Sequence, residues 1–334
     1  MNKIAVVILN WNGIDLLKKF IPNTIKNSAK ANIYVIDNFS DDDSIDYLKR
    51  NHPNIKVIEL DKNYGFSEGY NLGLKTINED IYCLLNNDVE VTQNWLDPII
   101  NVFNNTETSI VQPLVLDYNN KESFEYAGAA GGFIDKYGYP FCRGRIINSV
   151  EKNINQYSDS RIFWATGACF FVRRTVFNKL NGFDKDFFAH QEEIDFCWRA
   201  FNLDYNCQAI ISSKVFHVGA YTIKDNSSKT YLNYRNSLFL LIKNLPFNKL
   251  WTILPQRFII DIISSFYLLI NLRFMSFIAV YRAYFSLFQK FLVMFNKRGK
   301  LVKKHDYYYV NSIIYSYFIL KKRKFFKLKH NKLL

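Results

Sequence analysis

Short apolar runs alternate with amphipathic segments along the N-terminal part of the chain. The apolar runs are rich in β-branched residues and cover residues 4–9, 33–36, 55–60 and 81–85. Runs of this length and composition are typical of strands buried on both faces of a sheet. Between the first two runs, apolar residues recur at helical spacing, at Leu16, Leu17, Phe20 and Ile21. This alternation predicts an α/β fold with a mostly parallel central sheet and flanking helices.

The pattern loosens between residues 104 and 160, where glycines are frequent, and then becomes regular again. Residues 163–173 have the composition of a buried strand, and residues 209–211 that of a shorter one. Between them, Ile194, Cys197 and Trp198 lie at the spacing of a helix face that packs on a core. We therefore expect a loop-rich excursion with short strands, followed by more of the same α/β unit.

Polar residues follow three of the predicted strands at the point where each strand ends. Because crossovers between parallel strands are right-handed, these strand ends meet at one edge of the sheet, where open α/β sheets bind ligands. A carboxylate at that edge suits a hard divalent cation that also contacts phosphate oxygens. The alternatives are an ordinary turn at Asp88 and a helix cap at Asp37. The residues concerned are Asn10, Asn12, Asp37, Asn38, Asn86, Asn87 and Asp88.

A glycine-punctuated segment, residues 63–73, enters the helix before the fourth predicted strand. Glycine at Gly65 would allow the backbone to approach a ligand closely. The glycine spacing differs from the GxGxxG of a dinucleotide-binding turn and from that of a P-loop. The segment therefore predicts a ligand loop of another kind.

Two adjacent acids, Glu192 and Glu193, begin a predicted helix directly after an aromatic run, and Asp195 follows. The helix dipole favours carboxylates at this position, so electrostatics at the helix end could explain them. Adjacent carboxylates are also how a general base is presented to a cleft. Both interpretations stay open at this level.

Three further motifs have a structural and a functional interpretation. Arg143 and Arg145 could bind a diphosphate, although solvated surface arginines are the simpler interpretation. Thr166 and Gly167 leave room against the backbone of the strand predicted at 163–173. His217 lies in an apolar run, where a histidine is more often a satisfied core residue than a ligand.

Positive charge is concentrated at the C-terminus. The chain of 334 residues has a formal net charge of +13, and residues 296–334 hold twelve Lys and Arg against one acid, Asp306. A hydrophobic content of 49% and an aromatic content of 17% exclude a disordered protein. The five cysteines are odd in number and lack CxxC spacing, which argues against a disulfide framework or a metal cluster and fits a reducing compartment. No signal-peptide pattern precedes the first strand.

Two long apolar segments, residues 251–272 and 274–295, are near the length of a bilayer span. The first contains Arg257 and Asp261, and the second contains Arg282 and Lys290. Each charge would cost about 2.5–3.5 kcal/mol at the centre of a bilayer. This favours helices that lie in the membrane interface, with the Lys-rich tail on anionic headgroups. Packing on the α/β domain or in a homodimer, and true spanning, are the alternatives.

The ordered set of motifs resembles the inverting, nucleotide-sugar-dependent glycosyltransferases of family 2, which have the GT-A fold. The resemblance covers residues 3–245 and is greatest to the rhamnosyltransferase-like enzymes of bacterial surface polysaccharide synthesis. The motifs that carry it are residues 7–13, 35–38, 63–71, 84–91, 164–171 and 182–199, His217, and Tyr234-Arg235-Asn236.

The resemblance implies a role for each motif. Asp37 matches the nucleoside-binding acid, Asp88 the last acid of the metal-binding motif, and Glu193 the general base. The first acid of the metal motif is replaced by Asn86, and His217 matches a histidine that completes the shell of Mg²⁺ or Mn²⁺. Glu192 and Asp195 remain possible bases. The other implied contacts are Asn10, Asn12, Asn38, Gly65, Asn71, Asn86 and Asn87 for the nucleotide sugar, and Trp164, Thr166, Gly167, Arg143, Arg145 and Arg235 for the acceptor or diphosphate.

The implied reaction moves rhamnose or a similar hexose from a nucleoside-diphosphate sugar to a glycan or polyprenyl-linked saccharide. The resemblance also implies a catalytic domain at residues 1–245, with a donor half to about residue 115 and an acceptor half from about 116. A membrane-associating extension would follow at residues 246–334. The enzyme would be cytoplasmic and attached to the inner face of the cell membrane. Two other classes are a nucleic-acid-binding protein with a basic tail, which leaves the ordered motifs unexplained, and a degenerate, non-catalytic GT-A protein. The joint presence of Asp88, Glu193 and His217 argues against the second.

Overall fold

The computed structural model describes residues 2–219, 227–299 and 303–329. In these ranges the strands are β1 (Ile4–Asn10), β2 (Ala31–Asp37), β3 (Lys56–Glu59), β4 (Ile81–Asn86), β5 (Val89–Val91), β6 (Thr108–Asp117), β7 (Gly132–Ile134), β8 (Pro140–Cys142), β9 (Arg145–Ile146), β10 (Ser149–Val150), β11 (Ser160–Arg161), β12 (Cys169–Arg173) and β13 (Asn206–His217). The helices are α1 (Ile14–Asn27), α2 (Ser44–Asn51), α3 (Gly65–Gly73), α4 (Leu96–Phe103), α5 (Arg174–Lys179), α6 (Glu192–Asn202), α7 (Ser227–Asn244), α8 (Phe247–Ile270), α9 (Phe274–Asn296) and α10 (Ile313–Phe318).

A large central sheet has the strand order β11-β13-β6-β12-β4-β1-β2-β3, and β5 pairs with β13. β1 lies parallel to β2 and β4, and β6 lies parallel to β13. The main exception is β12, which is antiparallel to both β4 and β6. Asn10 pairs with Asp37, and Leu9 pairs with Asn86. The predicted strand ends therefore do meet at one edge.

The sheet has a hydrophobic core on each face, which explains why β1 is apolar throughout. Val6 shares one core with Leu17 of α1 and Ile99 of α4. Val7, the next residue, belongs to the other core together with Tyr70 of α3. Complete burial of such side chains contributes about 1.5–3 kcal/mol each. All five cysteines are buried and free, as predicted.

Two strands differ from the prediction. β12 begins at Cys169 and not at residue 163, because the Gly132 amide donates to the Trp164 carbonyl and draws this part of the chain to the small sheet β10-β9-β8-β7. β13 is much longer than residues 209–211. It pairs with β6 on both sides of a register shift between Ile210 and Lys214, and so ends at His217.

The apolar helix α8 directs its two mid-helix charged groups inward, whereas Arg282 and Lys290 of α9 are exposed. Arg257 Nε and Asp261 Oδ2 form a buried ion pair at 2.9 Å. Arg257 Nη1 also donates to the carbonyl of Tyr137 at 2.7 Å, and the Tyr284 hydroxyl donates to Asp261 at 2.8 Å. The mid-helix charges of α8 therefore lie against the α/β domain. Both helices are long and apolar enough to cross a membrane, by length and composition only.

The described part of the basic tail packs on the α/β domain through its aromatic residues. Tyr307 stacks on Trp198 of α6 with ring centroids 4.8 Å apart, and the amide of Tyr309 donates to the carbonyl of Ile134. Tyr307 and Phe325 belong to the larger of the two cores. Because these two rings are buried, they cannot stack on nucleic-acid bases. The extension shares the core of the domain that precedes it.

Candidate active site

The ends of β1 and β2 are joined by a buried polar cluster. Asn10 Nδ2 donates to Asp37 Oδ1 and to Ser40 Oγ, each at 3.2 Å. The Ser40 hydroxyl donates to Asp37 Oδ1 at 2.6 Å, and its amide donates to Oδ2 at 2.9 Å. Asn12 accepts a hydrogen bond from the amide of Asp41 and donates its own amide to Ser40 Oγ. These contacts fix the carboxylate of Asp37 at the edge of the sheet.

A second cluster fixes the start of α3. Asn38 donates to the carbonyl of Gly65 at 3.0 Å and accepts from the amide of Tyr64. Gly65 has φ +72°, and a Cβ built there would meet the ring of Phe188 at 2.6 Å, so glycine is required. Asn71 in the same helix bonds both the amide and the carbonyl of Phe183. The glycine segment thus links the donor half to the segment before α6.

The predicted metal motif lies beyond β4. Asn87 donates to Asn10, and Asn86 Nδ2 lies 3.4 Å from His217 Nε2. His217 Nε2 is also 3.1 Å from Asp88 Oδ1. The antiparallel pairing of β13 with β5, in which His217 lies opposite Val89, therefore brings the histidine and the aspartate together across 129 residues of sequence.

The second ring nitrogen of His217 faces a carboxylate that the sequence did not single out. Nδ1 lies 3.4 Å from Glu125 Oε1, and Glu125 is only 5% exposed. The 3.4 Å contact is an ion pair and not a hydrogen bond. Burial lowers the pKa of His217, but the carboxylates of Asp88 and Glu125 outweigh burial and raise the pKa to about 10. Burial likewise raises the pKa of Asp88, and the contact with His217 more than reverses this, so that the pKa is lowered.

Asp88 and His217 are placed to supply two ligands to a divalent cation, with the rest of its coordination shell coming from waters or a bound substrate. Two donor atoms at right angles on an octahedral cation with bonds of 2.0–2.1 Å lie about 3 Å apart, and the Asp88–His217 separation is 3.1 Å. Among the described residues, no group of three or more His, Cys, Asp or Glu is placed to hold a metal ion. A Mg²⁺-type site with few protein ligands is completed by waters and phosphate oxygens. A cation at Nε2 would also displace the proton that His217 otherwise carries.

The acidic pair begins α6, as predicted, and follows a strained turn. Phe188, His190 and Gln191 have φ of 64°, 70° and 67°, which is uncommon for residues with a Cβ. Such conformations cost about 1–3 kcal/mol each and cluster at functional sites. Asn236 of α7 holds the turn, because its Nδ2 lies 3.0, 2.8 and 2.6 Å from the carbonyl oxygens of Phe187, Ala189 and His190.

Glu192 and Glu193 differ in exposure. Glu192 is buried and Glu193 is partly exposed. In the described part of the chain, Oε2 of each has no hydrogen-bond partner. Burial raises the pKa of Glu193 to about 7, and burial together with repulsion from Glu193 raises the pKa of Glu192 well above its ordinary value. Glu192 therefore keeps its proton at neutral pH, and Glu193 titrates near neutrality.

Asp195 lies in a different environment. Its Oδ2 bonds Arg199 Nε and Lys243 Nζ, each at 2.8 Å, and its Oδ1 accepts from Asn244 at 2.9 Å. Burial raises the pKa of Asp195, but the two cations and these hydrogen bonds lower it far below its ordinary range. With both oxygens occupied and no exposure, Asp195 ties α6 to α7 and has no free oxygen to accept a proton from an acceptor.

A series of contacts connects the metal motif after β4 with the turn before the acidic pair. The amide of Asn86 donates to the carbonyl of Ala168, and a Cβ at neighbouring Gly167 would meet the ring of Phe66 at 3.4 Å. The amide of Phe66 in turn donates to the carbonyl of Phe188, in the turn before Glu192. Among the residues predicted to contact the acceptor substrate, Gly167 therefore lies between the metal motif and the turn before Glu192.

The other acceptor and diphosphate candidates are engaged within the fold. Arg143 and Arg145 are each 6% exposed, so neither is a solvated surface arginine. Arg143 donates to the carbonyls of Ala130 and Ser158, and Arg145 to those of Tyr126 and Pro140. These bonds close the loop-rich excursion and engage both guanidinium groups within the fold, although Nη2 of buried Arg143 has no hydrogen-bond partner among the described residues.

Trp164, Thr166 and Arg235 are likewise bonded to their surroundings. Trp164 is buried and donates Nε1 to the carbonyl of Phe133, and the amide of buried Thr166 donates to Gln112. Arg235 donates to the carbonyls of Asp186 and Phe187, next to the Asn236 contacts. Arg235 therefore supports the turn before α6.

Sequence reasoning missed Glu125, Ser40 and Lys243. Ser40 has a local signal, since a Ser three residues after a strand-end Asp often closes a turn around it. Glu125 and Lys243 have none, because each meets its partner through long-range packing alone. Glu125 lies in the loosened segment, and Lys243 lies in a helix far from Asp195 in sequence.

Comparison with known proteins places this geometry in a family. The model of glycosyl transferase family 2 matches residues 5–180, more than half of the chain. The "low-salt glycan biosynthesis hexosyltransferase Agl10" of Haloferax volcanii is 24% identical over 257 residues, covering 75% of this chain and 78% of the relative. An "N-acetylglucosaminyl-diphospho-decaprenol L-rhamnosyltransferase" of Mycobacterium tuberculosis is 20% identical over 259 residues, covering 71% of this chain and 83% of the relative.

Solved structures show the same fold. GalNAc-T7, crystallised with UDP, GalNAc and Mn²⁺, is similar with a TM-score of 0.60 at 19% identity. The match covers 75% of this chain, which spans about half of that structure (49%). The mannosyltransferase PcManGT of Pyrobaculum calidifontis, in complex with GDP-Man and Mn²⁺, is similar with a TM-score of 0.52 at 11% identity, covering 86% of this chain and 75% of that one. The chain belongs to glycosyl transferase family 2 and is a glycosyltransferase with a GT-A fold.

Proposed function

We propose that this enzyme transfers rhamnose or a similar hexose, with inversion, from a nucleoside-diphosphate sugar to a saccharide or polyprenyl-linked saccharide of a cell-surface polysaccharide. The observation that carries the proposal is the contact between Asp88 and His217 beyond β4, in a chain that also begins α6 with two glutamates whose Oε2 atoms have no hydrogen-bond partner among the described residues. The printed names of the relatives, a hexosyltransferase and a rhamnosyltransferase that acts on a decaprenol-linked sugar, support this substrate class.

The donor would bind along the ends of β1, β2 and β4. The buried Asp37 carboxylate is held by Asn10 and Ser40, and its Oδ2, which accepts one hydrogen bond from the amide of Ser40, would accept a second from a base or ribose. Asp88 and His217 would hold Mg²⁺ or Mn²⁺, which supplies positive charge beside the diphosphate as the nucleotide leaves. The Mn²⁺ in the structures of GalNAc-T7 and PcManGT is consistent with this.

Glu193 would act as the general base. Its carboxylate accepts the proton of the acceptor hydroxyl while the hydroxyl oxygen bonds to the anomeric carbon. The bond between that carbon and the diphosphate oxygen breaks on the opposite face, and the nucleoside diphosphate departs. Glu193 is favoured over Glu192 because it is the more exposed of the two, and over Asp195 because the oxygens of Asp195 are occupied. Holding the two substrates in line supplies much of the remaining acceleration.

A panel of nucleoside-diphosphate sugars, assayed for acceptor-dependent release of nucleotide, tests the proposal. We expect one or a few donors to react with wild-type protein and none at a comparable rate with Asp88→Ala or Glu193→Gln. Inversion is tested by NMR of the anomeric configuration of the product. Undiminished transfer by Asp88→Ala in the presence of EDTA would contradict the metal assignment, and retention of configuration would contradict the base.

We also propose that the enzyme is attached peripherally to the inner face of the cell membrane through α8 and α9. These helices expose a broad apolar surface that includes Ile270 (79% exposed), Phe288 (83%) and Leu292 (71%). The pairing of Arg257 with Asp261 toward the domain removes that pair from this surface. Helices of this kind bury their apolar face at the level of the headgroups, and lysines nearby add attraction to anionic lipid. A lipid-linked acceptor would be reached most readily from such a position.

A further inference from the structure

Glu125 is a buried carboxylate with one oxygen committed to the backbone and one facing a histidine. Oε2 accepts a hydrogen bond from the amide of Ala127 at 2.5 Å. Oε1 lies 3.4 Å from Nδ1 of His217, and the residue is 5% exposed. Burying a carboxylate costs several kcal/mol unless hydrogen bonds or charges compensate. A buried carboxylate at this position therefore needs a compensating charge, and His217 is the cationic partner that Oε1 faces.

The backbone places Glu125 and His217 in register with each other. The amide of Glu125 donates to the carbonyl of Val115 in β6, and His217 of β13 pairs with Asp117 two residues further along the same strand. Gly219, with φ +61°, follows the histidine, and a Cβ there would come within 3.2 Å of Glu125 Oε1. The contact thus depends on the strand pairing and on a glycine that leaves room for the carboxylate.

The two ring nitrogens of His217 face two acids. Asp88 Oδ1 lies 3.1 Å from Nε2, and Glu125 lies on the Nδ1 side. An ionised carboxylate only accepts hydrogen bonds, so each acid favours a proton on the ring nitrogen that it faces. A cation held by Asp88 would take the place of the proton at Nε2, which leaves the Nδ1 proton on the side of Glu125.

We propose that Glu125 is a positioning residue that fixes the Nδ1–H tautomer and the ring orientation of His217, so that Nε2 is presented to a divalent cation shared with Asp88. The inference rests on the proposed metal site and adds the carboxylate that holds its histidine. A ligating histidine whose other N–H is held by a carboxylate binds metal more tightly, and loss of that partner typically weakens metal affinity about 10–100-fold.

Binding of Mn²⁺ alone to the full-length protein, measured by electron paramagnetic resonance of the free ion, tests the proposal. We expect Glu125→Ala to raise the Kd for Mn²⁺ about 10–100-fold. Glu125→Gln keeps an acceptor oxygen without the charge, so its Kd should lie between those of wild type and Glu125→Ala. The matched control is Glu151→Ala, which removes another buried glutamate of the same region. Glu151 accepts hydrogen bonds from the amide of Phe325 and the hydroxyl of Tyr157. The Kd of the Glu151→Ala protein for Mn²⁺ should equal that of wild type.

A double-mutant cycle separates positioning from general destabilisation. If Glu125 acts through the imidazole, Glu125→Gln should change the Kd for Mn²⁺ much less in a His217→Ala background than in wild type. An equal effect in both backgrounds, or a Glu151→Ala protein as impaired as Glu125→Ala, would overturn the inference. If Glu125→Gln and Glu125→Ala bind Mn²⁺ with wild-type affinity while Asp88→Ala and His217→Ala lose binding, the role of Glu125 is wrong and the proposed metal site stands. If Asp88→Ala and His217→Ala bind Mn²⁺ as wild type does, both the role of Glu125 and the metal site are wrong.

Discussion

The side-chain amide of Asn236 lies 2.6 Å from the carbonyl oxygen of His190 and fastens α7 to the turn that precedes the acidic pair. His190 has φ 70°, and Gln191 after it has φ 67°. A strained turn persists only where its surroundings over-determine it. Asn236 is fully buried and its Nδ2 also lies within hydrogen-bond distance of the carbonyls of Phe187 and Ala189, so it supplies much of that restraint.

Replacement of Asn236 by Ala should therefore reduce transfer without abolishing the fold. Release of the turn would let Glu193 move relative to the acceptor, and a displacement of about 1 Å can cost about 10²-fold in rate. We expect kcat to fall by about that factor while the affinity for Mn²⁺ stays unchanged. Steady-state kinetics and thermal melting provide the measurements. Tyr234→Phe is the matched control, because it removes a hydrogen bond from the same helix to Ser264 of α8; equal losses in the two variants would contradict the assignment.

The rate of transfer should rise with pH through about 7 and level off above it. Burial raises the pKa of Glu193 to about 7, and only the ionised carboxylate can accept a proton, so activity is lost as the pH falls below that value. Glu193→Gln should cut kcat/KM about 10²–10⁴-fold and remove this inflection. Profiles of log kcat/KM against pH test both statements. If Glu192→Gln removes the inflection and Glu193→Gln keeps it, the base is Glu192.

Replacement of Phe288 and Leu292 by Glu should weaken binding to anionic vesicles. Both side chains belong to the exposed face of α9, with 83% and 71% of their surface accessible, so the change should not disturb the core. Ile154→Glu, at a position 76% exposed outside the two helices, is the control and should bind as wild type does. Vesicle co-sedimentation at low and high salt is the assay, and raised salt should weaken binding further by screening the lysines. If the double variant binds vesicles normally but changes from dimer to monomer in analytical ultracentrifugation, the apolar face is a dimer interface.

Removal of the Asp261 charge should destabilise the protein strongly. Asp261 is fully buried between Arg257, Tyr139 and Tyr284, so Asp261→Ala leaves an unpaired buried guanidinium. Breaking a buried pair in this way costs about 3–5 kcal/mol. Urea unfolding monitored by circular dichroism measures the loss. Glu59→Gln breaks the exposed pair with Lys49 and should leave the midpoint unchanged, because solvent screens that contact. A normal midpoint for Asp261→Ala would show that the charges are not buried as described.

Much of the donor half follows from local pattern. β1, β2 and β4 are apolar runs that end in polar residues, and the predicted edge with Asn10, Asp37 and Asn86 is present in the sheet. Gly65 begins α3 and Glu192 begins α6. These features are legible in the sequence because strand period, glycine conformation and helix-end charge act between residues that are close along the chain.

The partners of each side chain were decided by the tertiary structure. Whether Arg143 meets solvent or the carbonyls of Ala130 and Ser158, and whether Arg257 faces lipid or the Tyr137 carbonyl, depends on how separate segments pack and not on the local pattern. The same holds for Glu125, which meets His217 only because β13 continues past its bulge alongside β6. The periodic pattern of polar and apolar residues determines the face of a helix or strand on which a residue lies. The charge or carbonyl that it meets there is set by packing, because long-range strand pairing and burial select among contacts that are locally equivalent.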